Sequence, residues 1–405
     1  MIFKNAMILS GSETKIVDIE VRGQIISKIG ENLSGEGYDL KGAFVTGGAI
    51  DPHAHFRQPG FEAKETIKTG SLSAAKGGVF TAFAMPNLNP VPDCAENLQK
   101  EIDIIKRDAC ITVLPFGAVT KGQQGRQLSD IASIADKVVA FSDDGKCVND
   151  TGLLLEAMQE VKKTGKIICS HAEAAGYGDT EQAEYIAVER ELNLVKKSGV
   201  KYHFCHLSTA ESFDLVRGAK ADGMDVSCEV TPHHLSYCAV EKTDANFKMN
   251  PPLRQKKDVE AARAALLDGT ADMIATDHAP HTEYEKSQAW NIAPYGIIGF
   301  ETLYPVVITS LYKTGYISLA SLVRFTRIGA KNRFGIDAGE IKEGEAATFC
   351  ALDIDNKRTY KKSEILSMGK NSPYIGMDLY GFNLVSVING KIKYIDTEAL
   401  CQTKF

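Results

Sequence analysis

The chain has 405 residues, of which 44% are hydrophobic and 24% charged, with a formal net charge of −6. That is an ordinary globular composition, long enough for one large domain and a small one. No basic run or stripe points to nucleic acid, and no apolar stretch suits a signal peptide or the roughly 18 residues of a membrane helix, so a cytoplasmic protein is expected.

Residues 1–46 carry short alternating runs, "FKNAMILSG" and "IVDIEVRGQIISKIG", that read as strands between polar turns. Eight short apolar or β-branched runs follow: "GGAIDPH", "GVFTAFAMPN", "CITVLPFGAV", "KVVAFSDDG", "KIICSHAE", "KYHFCHLST", "DVSCEVTPHH" and "ADMIATDHAPH". Segments of helical period lie between most of them, such as "GLLLEAMQEVKKTG" and "QAEYIAVERELNLVKKSG", several closed by a glycine suited to a C-cap. Strand–helix alternation repeated eight times predicts an α/β fold, a closed (β/α)8 TIM-type barrel over 47–340. From 341 the strand style of the first residues returns, in "IKEGEAATFCALDID" and "NLVSVINGKIKYID". Residues 1–46 and 341–405 are therefore expected to pair into one small β-sandwich satellite domain.

The nine cysteines form no C-x-x-C pair, and several sit in strand-like runs, which suits buried free thiols better than disulfides or a zinc finger. All nine histidines fall between His53 and His281. His53, His55, Asn87, Asp144, His171, His206, His233 and Asp277 each close or follow an apolar run, so a barrel would gather them at one rim.

In an extended strand Asp51, His53, His55 and Arg57 would share one face. Alone, the H-x-H pair reads equally as a grip on a metal and as two hydrogen-bonded core histidines. His171, His206 and Asp277 at further strand ends shift the balance to a metal such as Zn²⁺, because buried polar groups at those positions need a partner.

"DPHAHFRQPGFEAKETIKTGSLSAAKGGVFTAFAMPN", "FSDDG", "CHLST", "EVTPHHL", "KMNPPLR" and "ATDHAPH" occur in an order that resembles the amidohydrolase superfamily and, within it, the dihydroorotases of the long bacterial monofunctional type. The resemblance implies a site of one or two Zn²⁺ ions, with His53, His55 and Asp277 on the first and His171 and His206 on the second. It implies an aspartate bridge within "FSDDG", where relatives of other activity use a carboxylated lysine. Asp144 is the choice by its distance to His171, with Asp143 the runner-up. The implied reaction is reversible cyclisation of N-carbamoyl-L-aspartate to dihydroorotate in pyrimidine biosynthesis, through a metal-bound hydroxide with Asp277 as general base and then acid. His55, Arg57, Asn87, Asn250, His281, Tyr295 and Gly296 would contact the substrate, Arg57 through its carboxylate. A homodimer and association with aspartate transcarbamoylase also belong to the resemblance.

His203 and His278 read as structural, His233 and His234 as neighbours of the site, and Asp51 as a group orienting a ligand histidine. The stretch after His281, "TEYEKSQAWNIAPYGII", reads as a candidate lid. Leu88 stands where relatives often carry threonine, and the stretch from His171 to His206 is shorter than in some of them. The competing readings are another cyclic amidase (dihydropyrimidinase, hydantoinase or allantoinase), whose substrates lack a ring carboxylate, and a non-catalytic relative.

Overall fold

The computed structural model describes residues 1–11, 13–241 and 243–404. Each of the eight apolar runs contributes a strand: β1 (Ala49–Ala54), β2 (Val79–Ala84), β3 (Thr112–Pro115, continued by the short strand Gly117–Ala118), β4 (Phe141–Ser142), β5 (Ile167–Ser170), β6 (Lys201–Phe204), β7 (Val226–Val230) and β8 (Met273–Ile274). β1 to β3 pair in parallel, and so do β4 to β8. The two sheets join where the chain leaves β3: Phe116 N donates to Ala84 O, Gly117 N donates to Ala140 O, and Gly117–Ala118 pairs with β4. Beyond β8, Ala54 and His278 form a parallel bridge, and His55 N donates to His278 O at 2.8 Å. The sheet thus closes into a TIM-type barrel, and the polar strand ends share one rim.

The helices form where the apolar period of 3.6 residues predicts them. Helix Ile67–Gly77 starts at a Thr66 capping box and stops at Gly78, whose φ of 77° suits a residue without Cβ. Thr151–Thr164, Glu181–Ser198 and Lys256–Asp268 stop in the same way at Gly165, Gly199 and Gly269. Their apolar faces pack on the barrel through residues such as Leu154, Met158, Val188 and Ala265. No helix among the described residues is long and apolar enough to cross a membrane.

Strands from both ends of the chain share one sheet. Its order runs Lys391–Ile395, Phe382–Ile388, Phe349–Asp353, Phe44–Thr46, Ile2–Ser10, Glu13–Arg22, Ile25–Gly30, with Glu36–Asp39 joined at Ile2–Ser10 and Gln402–Lys404 paired to Glu36–Asp39. Phe3 meets Phe349 edge to face, their centroids 5.1 Å apart, within a core that includes Ile19, Val45 and Val385. Between Asp353 and Phe382 the chain leaves this sheet. Tyr360, Ile365, Tyr374 and Leu379 pack instead with Ile298 and Val306 of the barrel.

One buried carboxyl makes a stability prediction. Glu101, on helix Ala95–Asp108, is 1% exposed, and neither of its oxygens has a hydrogen-bond partner among the described residues. Burial alone pushes its pKa well above the ordinary carboxylate value. Because the folded pKa is the higher one, stability is fullest below the unfolded value near 4.3 and falls as pH rises toward the folded value. Glu101→Gln is expected to stabilise the protein by roughly 1–3 kcal/mol at pH 8 and hardly at pH 5. Thermal unfolding at the two pH values checks this, and equal midpoints for both proteins at pH 8 would refute it.

Candidate metal centre and adjoining cavity

Six side chains converge at the rim. His53 comes from β1, His55 follows it, and Asp144, His171, His206 and Asp277 follow β4, β5, β6 and β8. All six are buried. His53 Nε2 lies 3.4 Å from Asp144 Oδ1 and 3.6 Å from Asp277 Oδ1. His55 Nε2 is 3.1 Å from Asp277 Oδ1 and 3.6 Å from Asp144 Oδ2. Asp144 Oδ1 is 3.7 Å from both His171 Nδ1 and His206 Nε2. Asp144 is thus the carboxylate within reach of all four imidazoles. Asp143 points away and braces a loop, accepting from Val119 N at 2.8 Å and Thr120 N at 3.1 Å.

The outer ring nitrogens define which lone pairs face inward. His53 Nδ1 donates to Glu229 Oε1 at 3.0 Å, His55 Nδ1 to Asn87 Oδ1 at 2.8 Å, and His171 Nε2 to Glu173 Oε2 at 2.9 Å. Each acceptor fixes a proton on the outward nitrogen, so the opposite nitrogen turns a lone pair toward the aspartates. His171 Nδ1 and His206 Nε2 stand 3.1 Å apart. Buried His53 Nε2 and Asp144 Oδ1 make no hydrogen bond among the described residues. Imidazoles held from behind by carboxylate or amide oxygens, with converging lone pairs and buried aspartates, fit a divalent cation. His53, Asp144 and His206 bring donor atoms close enough for one ion, as do His53, His55 and Asp277.

The clustered charges also act on one another. Burial raises the Glu229 carboxyl, but hydrogen bonds from His203 and His53 outweigh it and hold the pKa at about 2. Burial likewise opposes ionisation of Asp144 and Asp277, yet the neighbouring imidazoles bring both below the ordinary range. Arg57, His206 and Asp277 have φ of 62°, 32° and 48°, in the left-handed region that non-glycine residues seldom adopt. Such conformations cost about 1–3 kcal/mol each and gather at functional sites.

A cavity of about 320 Å³ opens beside the cluster, lined in part by His55, Arg57, Asn87, Asn250, Tyr295 and Gly296. Asn87 spans two members of the cluster, accepting from His55 and donating to Asp144 Oδ2 at 3.2 Å. Asn250 Nδ2 donates to Glu173 Oε2 at 2.8 Å. Arg57 Nε donates to Pro280 O, while Nη2 lies 3.4 Å from His281 Nε2, itself 2.8 Å from Tyr295 O. Burial brings Arg57 down to about 10, still a cation at neutral pH. Gly296 has φ of 129°, and a Cβ there would fall 2.8 Å from Ala279 Cβ and 3.1 Å from His281 Nε2, so the close approach requires glycine.

Two strand-based expectations are corrected. β1 ends at Ala54 with a register shift after Asp51, so His55 and Arg57 reach the cavity from a loop and not by alternation along one strand face. Asp51 orients no imidazole: Oδ1 accepts from Thr276 N at 3.0 Å and His53 N at 3.3 Å, tying β1 to the chain after β8. Glu229 does the orienting, and Glu173 does it for His171; sequence reasoning singled out neither. The signal for Glu229 was an acid inside the wholly buried strand "VSCEV". His203 binds Ser227 Oγ and Glu229 Oε2, and His278 Nδ1 accepts from Gly299 N, both structural. His234 spans Thr231 Oγ1 and Pro251 O, and His233 is buried beside it. The stretch after His281 is held by Lys286 Nζ, which donates to Lys248 O, Pro294 O and Gly296 O.

A family model described as dihydro-orotase-like matches residues 42–184. The chain is 40% identical to the dihydroorotase of Fusobacterium nucleatum over 99% of its own length and 100% of that protein. It is 39% identical to the dihydroorotase of Bacillus cereus, over 98% and 99%. Among solved structures it resembles the L-hydantoinase (dihydropyrimidinase) of Arthrobacter aurescens, with a TM-score of 0.84 at 24% identity over 96% of this chain and 95% of that one. The D-hydantoinase of a Thermus species gives 0.85 at 23% over 98% and 95%. At that identity the structural likeness speaks for the fold.

Proposed function

The chain belongs to the dihydroorotase family, and from that premise we propose that it opens dihydroorotate to N-carbamoyl-L-aspartate and closes it again, the second direction serving pyrimidine synthesis. The observation that carries this is the pairing of two features. A cluster of four histidines and two aspartates suited to metal adjoins a cavity lined by Arg57, whose Nη2 lies 3.4 Å from His281 Nε2. Tyr295 O can only accept, so His281 Nε2 donates its proton there and has no lone pair for Arg57 Nη2, a cationic donor that an anion satisfies. The ring carboxylate of dihydroorotate is such an anion; hydantoin, dihydrouracil and allantoin rings have none.

His53, His55 and Asp277 would hold one ion, His171 and His206 a second, and Asp144 would link them. Divalent metal bound there supplies Lewis acidity, which lowers the pKa of water toward about 7 and polarises a carbonyl. Asp277 lines the cavity and takes the proton from the attacking water as the ring amide carbon is attacked. The carbon–nitrogen bond breaks, and the same carboxyl hands the proton to the departing ring nitrogen. Arg57 holds the carboxylate with His281 beside it, and Asn87, Asn250 and the backbone of Tyr295 and Gly296 hold the ring, with His55 at its edge. The reading takes zinc as the metal, the cytoplasm as the compartment, a homodimer as the assembly and aspartate transcarbamoylase as a partner; the family resemblance alone supports these four. It also takes 1–46 with 341–405 as a sandwich-like satellite of the 47–340 barrel, which the sheet shared by both chain ends supports.

The test is turnover of dihydroorotate by the zinc-loaded protein beside hydantoin, dihydrouracil and allantoin. Dihydroorotate alone should react. Arg57→Ala should raise its KM by about 10- to 100-fold, the worth of a charged hydrogen bond of about 1.5–3 kcal/mol, with a smaller effect on kcat. Preference for an uncharged ring would overturn the reading.

A further inference from the structure

Lys64 stands outside the residues assigned above, on the loop after β1, with its side chain about a quarter exposed. Its Nζ is 2.8 Å from Glu285 Oε1 and 3.3 Å from His281 Nδ1. Glu285 is fixed in turn, closing a capping box in which its Oε2 accepts from Thr282 N and Oγ1. His281 therefore has an obligate donor at Nδ1, the ammonium, and an obligate acceptor at Nε2, Tyr295 O at 2.8 Å. Both ends select the same tautomer. The opposite one would set N–H against ammonium and a lone pair against a carbonyl.

We propose that Lys64 is a positioning residue that holds His281 as a neutral imidazole with its proton on Nε2, donated to Tyr295 O, so that the ring takes no proton from Arg57 Nη2 and leaves it to the carboxylate end of the cavity. The role in substrate binding rests on the functional reading above; the tautomer does not. The charged groups facing the ring are Arg57 and Lys64 from the loop after β1, and Glu285 and Lys286 from the short helix Glu283–Lys286. Burial first, and then the three cations, hold His281 down at about 3, which agrees with a neutral ring. Glu285 Oε2 is 3.6 Å from His281 Nδ1, so without the ammonium the nearest partner of Nδ1 becomes a carboxylate, which draws a proton onto it.

Lys64→Met and Lys64→Arg, labelled with 15N-histidine and with the His281 signal assigned from His281→Asn, test this. In the wild type Nδ1 should resonate as an unprotonated nitrogen near pH 7. In Lys64→Met it should move to the protonated range, and KM for dihydroorotate should rise at least about fivefold, as for loss of one hydrogen bond of ~1 kcal/mol, with kcat within threefold. Lys64→Arg should restore both. If Lys64→Met does not fold, Lys64→Ala reads the same signal. An active wild type whose KM and Nδ1 signal are unchanged in Lys64→Met would refute the inference and leave the functional reading standing. A wild type inactive on dihydroorotate would sink the functional reading, while the Nδ1 signal would still uphold or refute the tautomer.

Discussion

Asp277→Asn is expected to lower kcat for dihydroorotate by at least about 10³-fold, within the range general acid–base catalysis contributes. The substitution keeps the shape of the side chain. Asparagine also tolerates the left-handed backbone at this position, where φ is 48°, better than most residues, so the fold should hold. What would disappear, on the proposed mechanism, is the group that accepts the proton of the attacking water and returns it to the ring nitrogen. His55 Nε2, 3.1 Å from Asp277 Oδ1, cannot stand in, because its lone pair faces the metal position while Nδ1 is tied to Asn87. Rate, metal content and KM should be measured together. A loss below tenfold with metal retained would mean that another group moves the proton.

The barrel and much of its rim were legible in the sequence because most strands are short apolar runs closed by a polar side chain. Helix ends were legible too, since Gly165, Gly199 and Gly269 mark them chemically. Less legible was whatever depends on closure of the sheet. Glu229 meets His53 across 176 residues of chain, and nothing local to "VSCEV" says which imidazole it will face. Arg57 illustrates the reverse failure. Alternation along a strand placed it on the face of His53 and His55, yet the strand stops at Ala54, and a left-handed turn carries the guanidinium into the cavity. Asn371, from the segment that leaves the sheet shared by both chain ends, donates to Ala279 O and Gly296 O and accepts from His281 N. No spacing rule connects a residue so near the C-terminus with the cavity.

Asp144→Asn should lower metal occupancy and activity together, whereas Asp143→Asn should leave the metal in place. The two neighbours differ in what their oxygens do. Asp143 is spent on Val119 N and Thr120 N, so its loss loosens one loop by about 1–2 kcal/mol, on the scale of one or two hydrogen bonds. Asp144 stands 3.4–3.7 Å from one ring nitrogen of each of four imidazoles, and its Oδ1 has no hydrogen bond to lose. Residues that merely brace a metal ligand are worth about 10- to 100-fold in affinity, so neutralising a carboxylate at the centre of the donor set should exceed about 100-fold. Asparagine keeps an oxygen for coordination but not the anion that offsets the repulsion between two bound cations. Occupancy should then fall to one ion per chain or fewer at metal concentrations that saturate the wild type. Elemental analysis of the dialysed proteins decides it. Full occupancy in Asp144→Asn, or its loss in Asp143→Asn, would transfer the bridging role away from Asp144.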